Sequence, residues 1–317
     1  MQVNITPTKL TKKVKAPASK SWIIRYMIVA AVNGFECTIR NINLCDDVLA
    51  CMDALDNLGG VMNCGESATV LRLLVPSVIK KYGGGDFVCE GNLASRPLDI
   101  YEKIFDISVE GNNVHASGRV LDSYKFDSMI SSQFVSGLLI AGSSVDGKCV
   151  SAPYVEMTKA VLGQKRPFDV TVPEDETLRA LWNIDELKIE NTEDNPDLFP
   201  LYALKAAVGN GTTVFNDISR LSHKESDRVE GVRKLLSELG ADAELDGGSL
   251  VVSAKPALAG GCVIDPQNDH RLAMMAAVAS QYCMDNVIIT DAECVSKSYP
   301  NFFDDFQRCG GIIDVIS

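Results

Sequence analysis

Four segments of the chain place small polar residues just before an apolar run of helical spacing, with a cation in the first turns. They are ASKSWIIRYMIVAA (18–31), GESATVLRLLVP (65–76), SSQFVSGLLIAG (131–142) and NDHRLAMMAAVA (268–279). A helix N-terminus carries unpaired N–H groups and a partial positive charge, so it favours phosphate or carboxylate. Lys20, Arg25, Arg72 and Arg271 would add full charges there, the arginines with bidentate geometry. Ser, Thr and Asp are also ordinary N-caps, so for each segment alone the structural role is the stronger reading. Four in one chain point to a pocket for a ligand with more than one anionic group. A fifth segment, RLSHKESDRVEGVRKLL (220–236), gathers Lys224, Glu225, Asp227 and Arg228 at a helix start. Its alternative reading is a solvated face laced by i,i+4 pairs. A sixth, CVSKSYPNFF (294–303), sets Lys297 in a Ser-rich loop before an aromatic-Pro turn.

Elements of two kinds must carry these residues. Helical patterns ending in glycine recur in DDVLACMDALDNLGG (46–60), ESDRVEGVRKLLSELGA (225–241) and NFFDDFQRCGG (301–311). Their apolar residues fall three and four apart, and the glycine supplies the C-terminal stop. Short β-rich runs alternate with them: CTIRNI (37–42), TTVFND (212–217), SLVVSA (249–254) and NVIITDA (286–292). The unit reads as strand, helix, strand, helix, hairpin, repeated, which predicts an α/β protein assembled from similar subdomains. Helix-glycine-strand recurrence is common to α/β enzymes, so the pattern alone leaves true repetition open. No linker marks a domain boundary; the most irregular stretch is GQKRPFDVTVPEDET (163–177).

Composition narrows the function classes. The 317 residues suit two domains of ordinary size and a core that needs no metal or disulfide staple. A formal charge of −12 argues against a nucleic-acid partner. It leaves room for small anions bound by a few converging cations. The ten cysteines show no CxxC pair and only three histidines exist, so no metal site is expected. The cysteines read as small apolar residues in a reducing compartment. No apolar stretch is long enough to span a bilayer and MQVNITPTKLTKK lacks an apolar signal region. The expectation is a cytoplasmic protein without a membrane partner.

Taken in order, the motifs resemble those of the 5-enolpyruvylshikimate-3-phosphate synthase family. They are PASKSWIIR (17–25), CGESATVLRLL (64–74), GNLASRPL (91–98), SSQF (131–134), SAPY (151–154), NPDLFP (195–200), KESDR (224–228), NDHR (268–271) and KSYPNFF (297–303). The resemblance implies an α/β fold of two domains, each built from βαβαββ units, with the active site in the interdomain cleft. It puts one domain at residues 17–170 and the other at 1–16 plus 171–317. The implied reaction moves the enolpyruvyl group of phosphoenolpyruvate to the 5-hydroxyl of shikimate 3-phosphate and releases phosphate, without metal or organic cofactor. It further implies a monomer.

Site roles follow from the same resemblance. Lys20, Ser21 and Arg25 match the first substrate motif, with Lys20 lying between both substrates. Ser131, Ser132 and Ser151 would hold shikimate 3-phosphate, largely through its phosphate, with Gln133 against its ring. Asp197 would be the general base on the 5-hydroxyl, and Glu225 would deliver the proton to the methylene carbon. Arg228, Arg271 and Lys297 would clamp phosphoenolpyruvate, joined in the substrate-binding set by Arg72 and Lys224. His270 is expected to be structural.

Three departures from the family pattern stand out. Ala68 replaces the usual glycine against phosphoenolpyruvate, where glyphosate also sits, so its methyl group should reduce glyphosate sensitivity. Asn92 replaces an arginine that contacts phosphoenolpyruvate, a loss of about 1.5–3 kcal/mol of binding. The third is length: segments are expected to be missing after 58–61, 102–105, 159–163 and 179–183, each where a strand pair should follow a helix. Natural compaction, deliberate minimisation or a record of only part of a longer chain would each produce this. Two other functions are compatible with the residues: a trimmed, non-catalytic binder of shikimate 3-phosphate, and an enolpyruvyl transferase acting on UDP-N-acetylglucosamine.

Overall fold

The computed structural model describes residues 1–316 and divides into two compact units. One unit is Ala18–Pro173; the other joins Met1–Pro17 to Glu174–Ser317. Each has its own hydrophobic core.

The chain lays down β1 (Gln2–Thr6) and then builds the 18–173 unit. There α1 (Lys20–Asn33), β2 (Cys37–Ile39) and α2 (Asp46–Asp56) come first. Next come β3 (Val61–Asn63), α3 (Ala68–Tyr82), β4 (Gly84–Val88), α4 (Asp99–Ile104) and the hairpin β5 (Asp106–Glu110) and β6 (Asn113–Ser117). The unit closes with β7 (Ser123–Lys125), α5 (Gln133–Ile140), β8 (Ser144–Asp146), α6 (Ala152–Leu162) and β9 (Phe168–Val170). Each parallel strand pair brings a helix pair with it: β2 with β9, β3 with β4 and β7 with β8. Within this unit β3–α3–β4–α4–β5–β6 forms a full βαβαββ set, its sheet ordered β3-β4-β6-β5. The other two sheets have two strands each.

The remaining unit adds α7 (Glu176–Arg179), α8 (Phe199–Ala207), β10 (Thr212–Phe215), α9 (Arg228–Glu238) and the hairpin β11 (Asp242–Asp246) and β12 (Ser249–Ser253). It ends with β13 (Cys262–Ile264), α10 (His270–Ala279), β14 (Val287–Ile289), α11 (Phe302–Arg308) and β15 (Ile312–Ile316). Strand β1 completes a sheet ordered β13-β14-β1-β15, so this second full βαβαββ set closes on the chain's own first strand. A three-stranded sheet, β10-β12-β11, is the other.

The expected gaps are explained by these sheets, with one correction. α2 runs directly into β3 and α6 into β9, with no hairpin between, and among the described residues no strand follows α7 before β10. After 102–105, by contrast, the hairpin is present: β5 follows α4 at once and pairs with β6 from Asp106↔Ser117 to Glu110↔Asn113. The alternation of DISVE and NVHAS is too polar to stand out as a strand pair, because only Val114 and Ala116 are buried.

Two helices are buried on nearly every side and anchor the cores. α3 buries ten consecutive positions from Val70 to Ile79 and, before them, Ala68. α10 buries all of its residues. Such helices read as apolar all round, as their sequences do. α5 packs so closely on α3 that a Cβ at Gly137 would collide with the Arg72 carbonyl and the Tyr101 hydroxyl. Tyr101 instead donates to the Arg72 carbonyl at 2.6 Å. α1 stops where Gly34 takes a left-handed φ of 71°, a conformation in which glycine carries no Cβ penalty.

Candidate functional site

All four anion-type segments do begin helices, at α1, α3, α5 and α10, and their caps separate the two readings of the sequence. Ser67 Oγ accepts from Val70 N at 3.5 Å, and Asp269 Oδ1 accepts from Arg271 N at 2.9 Å. These two residues are caps. Ser19 and Ser132 make no side-chain cap bond, and neither does Ser151 at the start of α6. Ser151 also adopts a left-handed φ of 54°, which for a non-glycine residue marks a position held by its surroundings.

In the 18–173 unit the predicted residues fall into linked sets. Arg25, 1% exposed, donates from Nε to Thr158 Oγ1 of α6 at 2.8 Å and from Nη1 to the Ser21 carbonyl at 2.8 Å. Burial pulls its guanidinium down to about 10, against the attraction of Tyr154, whose ring lies 5.9 Å away. Thr158 in turn meets Ser136 of α5 at 2.9 Å. Arg72 donates to Gln133 Oε1 at 2.9 Å and to the Pro97 carbonyl at 2.7 Å, and Gln133 Nε2 donates to Thr69 at 2.8 Å. Ser131 Oγ accepts from Gln133 N at 3.2 Å. These bonds link α1, α6 and α5 through Arg25, Thr158 and Ser136, and α3 to α5 through Arg72 and Gln133. Ala68 is buried in the first turn of α3. Asn92 is exposed at the head of a 3-10 turn, its carbonyl accepting from Ser95. Lys20 forms a 2.6 Å ion pair with Asp47, the two side chains 12% and 7% exposed.

In the other unit, Asp197, Lys224, Glu225, Arg228 and Arg271 form one charged cluster. Arg228 is fully buried and bonds three carboxylates: Asp269 through Nε at 2.9 Å, Asp197 through Nη1 at 2.9 Å and Glu225 through Nη2 at 2.5 Å. The solvated-face reading of 220–236 is therefore overturned. The run starts with Asp227 capping α9, and its first helical residue points inward to an ionic core. Burial works against the Arg228 charge, but Asp269, Glu225 and Asp197 outweigh it and raise its pKa further. Asp197 is a quarter exposed and lies 3.5 Å from Arg271 Nη2. Burial opposes its ionisation; Arg271, Lys224 and Arg228 together prevail and hold it well below the usual carboxylate range. Lys224 is pulled down to about 8, chiefly by burial, with Asp197 resisting and Arg228 adding to the fall. Lys297 is 6% exposed, and the Cys294 thiol feels both its charge and that of Asp269. The 3-10 turn that ends in Lys297, Ala292–Lys297, packs against α10. His270 is buried in the first turn of α10.

The sequence reading left out residues that the structure makes central. Asp47 holds Lys20, Asp269 ties Arg228 to α10, and Thr177 holds Arg271. Asp269 carried a visible signal as the residue before a helical run; Asp47 and Thr177 carried none. Among the described residues no group of His, Cys, Asp and Glu could hold a metal ion, and no helix is long and apolar enough to cross a membrane. Among the described residues the ten cysteines form no disulfide.

Comparison with known proteins decides what this arrangement belongs to. The sequence pattern of the family described as EPSP synthase (3-phosphoshikimate 1-carboxyvinyltransferase) matches residues 5–63 and 163–306. The chain belongs to the EPSP synthase family. A 3-phosphoshikimate 1-carboxyvinyltransferase of Clostridium botulinum (strain Alaska E43 / Type E3) is 29% identical over 421 aligned positions, covering 97% of each chain. One of Clostridium beijerinckii is 29% identical over 428 positions, covering 98% of each. Alignments of 421 and 428 positions exceed the 317 residues here, so these EPSP synthase relatives carry internal segments that this chain lacks. The EPSP synthase of Acinetobacter baumannii superposes with a TM-score of 0.75 over the whole of both chains at 19% identity, which fixes the fold as the two-domain enolpyruvyl transferase type.

Proposed function

We propose that this protein transfers the enolpyruvyl group of phosphoenolpyruvate to the 5-hydroxyl of shikimate 3-phosphate. The observation that carries the proposal is the charged cluster around Arg228, built from the family motifs NPDLFP, KESDR and NDHR. The two compact units stand for the two domains of the fold. In the 18–173 unit, Ser131, Ser132, Ser151, Gln133 and Arg25 would receive shikimate 3-phosphate, its phosphate at the starts of α5 and α6. Lys20, Arg72, Lys224, Arg228, Arg271 and Lys297 would meet phosphoenolpyruvate and the charge that develops on its phosphate. Ala68 would lie against the same substrate and disfavour glyphosate.

The chemistry is addition followed by elimination. The 5-hydroxyl oxygen bonds to the central carbon of phosphoenolpyruvate while a proton reaches its methylene carbon, and the intermediate then loses that proton's equivalent and phosphate. Glu225 would deliver the methylene proton from its protonated form and recover it as the carboxylate that accepts from Arg228. Asp197 stays ionised in the resting site, so it would accept a hydrogen bond from the 5-hydroxyl, take its proton only as the C–O bond forms, and give it up as the phosphate departs. No metal or organic cofactor enters these steps. Ten cysteines without a disulfide among the described residues fit a reducing cytoplasm, and a monomer is the proposed state.

Phosphate release with both substrates, against either alone, tests this reading. Release that requires both supports transfer; release from phosphoenolpyruvate alone, or none from the pair, refutes it. One feature favours a second reading, a binder of shikimate 3-phosphate that no longer turns over. Asn92 offers no charge where the family pattern has arginine, and saturable binding of shikimate 3-phosphate without phosphate release would support that reading.

A further inference from the structure

α7 is a four-residue helix left without a sheet of its own, yet its first turn is buried and tied to the charged cluster. Asp175, its N-cap, accepts at Oδ1 from Thr177 N at 3.0 Å, Leu178 N at 3.2 Å and the Thr177 hydroxyl at 2.6 Å. Arginine can only donate, so the 2.5 Å contact from Arg271 Nη1 ends on a lone pair of Thr177 Oγ1. The hydroxyl therefore has one orientation, hydrogen toward Asp175 and lone pair toward the guanidinium. Asp175, Thr177 and Arg271 are each 7% exposed. The other guanidinium contact, Nη2 to Asp197, is a longer 3.5 Å, and Nε has no hydrogen-bond partner among the described residues. Thr177 is thus the closest group that fixes the plane of Arg271, although 94 residues separate them in sequence.

We propose that Thr177 is a positioning residue for Arg271, holding its guanidinium in the orientation that receives the anionic end of phosphoenolpyruvate. This rests on the proposed function and explains why α7 persists where its sheet does not. Asp175 sets the hydroxyl, the hydroxyl sets Arg271, and Arg271 bears on Asp197. A threonine kept only for packing would be replaced by valine with no effect on substrate affinity.

Thr177→Val removes the acceptor and keeps the shape. The expected result is a rise of about ten-fold in KM for phosphoenolpyruvate, as for a lost hydrogen bond to a charged group, with kcat within two-fold and KM for shikimate 3-phosphate unchanged. Thr177→Ser restores the wild-type constants, and Thr177→Ala, which adds no new apolar contact, repeats the Thr177→Val result if that variant does not fold. Equilibrium titration of phosphoenolpyruvate in the presence of shikimate 3-phosphate reads the same weakening without turnover. Wild-type inactivity would therefore overturn the proposed function without touching Thr177. A KM and binding constant for phosphoenolpyruvate within two-fold of wild type in folded Thr177→Val or Thr177→Ala would overturn this proposal. So would equal losses in both KM values and kcat.

Discussion

Replacing Asp269 by alanine removes the carboxylate on which the charged cluster is built. Asp269 is fully buried; one oxygen accepts from Arg271 N at 2.9 Å and Arg228 Nη2 at 3.2 Å, the other from Arg228 Nε at 2.9 Å and Ser226 Oγ at 3.1 Å. Without it Arg228, itself 0% exposed, keeps only Asp197 and Glu225. Breaking a buried pair from one side costs about 3–5 kcal/mol, and losing an N-cap about 1 kcal/mol. The two remaining carboxylates soften the first figure, so a combined loss of about 3 kcal/mol is expected, a large share of a typical total of roughly 5–15 kcal/mol. The two tryptophans make this measurable in one unit at a time. Trp22 lies in the 18–173 unit, and Trp182 lies in the other, stacked on Phe302 at 5.6 Å. In a Trp22→Phe background, Trp182 fluorescence during urea unfolding follows the unit that holds Asp269. With a urea slope of about 2 kcal/mol/M, the midpoint should fall by roughly 1.5 M. A fall under about 0.5 M, less than about 1 kcal/mol on that slope, would refute the claim that Asp269 holds the cluster together.

Three further outcomes follow from the same geometry. Lys224, at about 8, loses its charge above that pH; kcat/KM for phosphoenolpyruvate should fall there, Lys224→Arg should move the fall to higher pH, and an unchanged profile would contradict the assignment. Because the folded value lies below the ordinary 10.5, the unfolded chain binds more protons between about pH 8 and 10.5, so this residue's contribution to stability rises across that window and is lost below it. Asp47→Asn should leave Lys20 without its 2.6 Å partner, destabilise the 18–173 unit by about 2 kcal/mol and lower kcat; a change within about 0.5 kcal/mol in the unfolding of that unit, followed by Trp22 in a Trp182→Phe background, would count against the pair. Asn92→Arg should lower KM for phosphoenolpyruvate about ten-fold by adding a charge-assisted contact, and an unaltered KM would show that this position does not face the substrate.

Much of the candidate site is legible in the sequence because its signals are local. Four helix starts with small polar residues and a cation needed only a window of a dozen residues to be seen, and all four begin helices. The uses of those residues were less legible, since Ser67 and Asp269 act as caps while Ser19 and Ser132 do not. Partners brought in by tertiary packing left no trace. Asp47 lies 27 residues from Lys20, and Asp269 lies 41 residues from Arg228. The KESDR run read as a possible solvated face because charge density alone does not tell an exposed pair from a buried one. The β5–β6 hairpin was missed for the opposite reason, that a strand pair with mostly exposed residues lacks the apolar alternation that reveals it. The missing hairpins after α2 and α6 were legible as spacing: the motifs on either side stay in order while the chain between them is too short for two strands.

The most direct test of the central claim is phosphorus NMR of the protein with equimolar shikimate 3-phosphate and phosphoenolpyruvate. The account predicts that both signals fall together as inorganic phosphate and an enolpyruvyl ether of shikimate 3-phosphate rise in equal amounts, and that neither substrate changes alone. Both substrates persisting while shikimate 3-phosphate is bound, or phosphoenolpyruvate passing to pyruvate and phosphate, would contradict it.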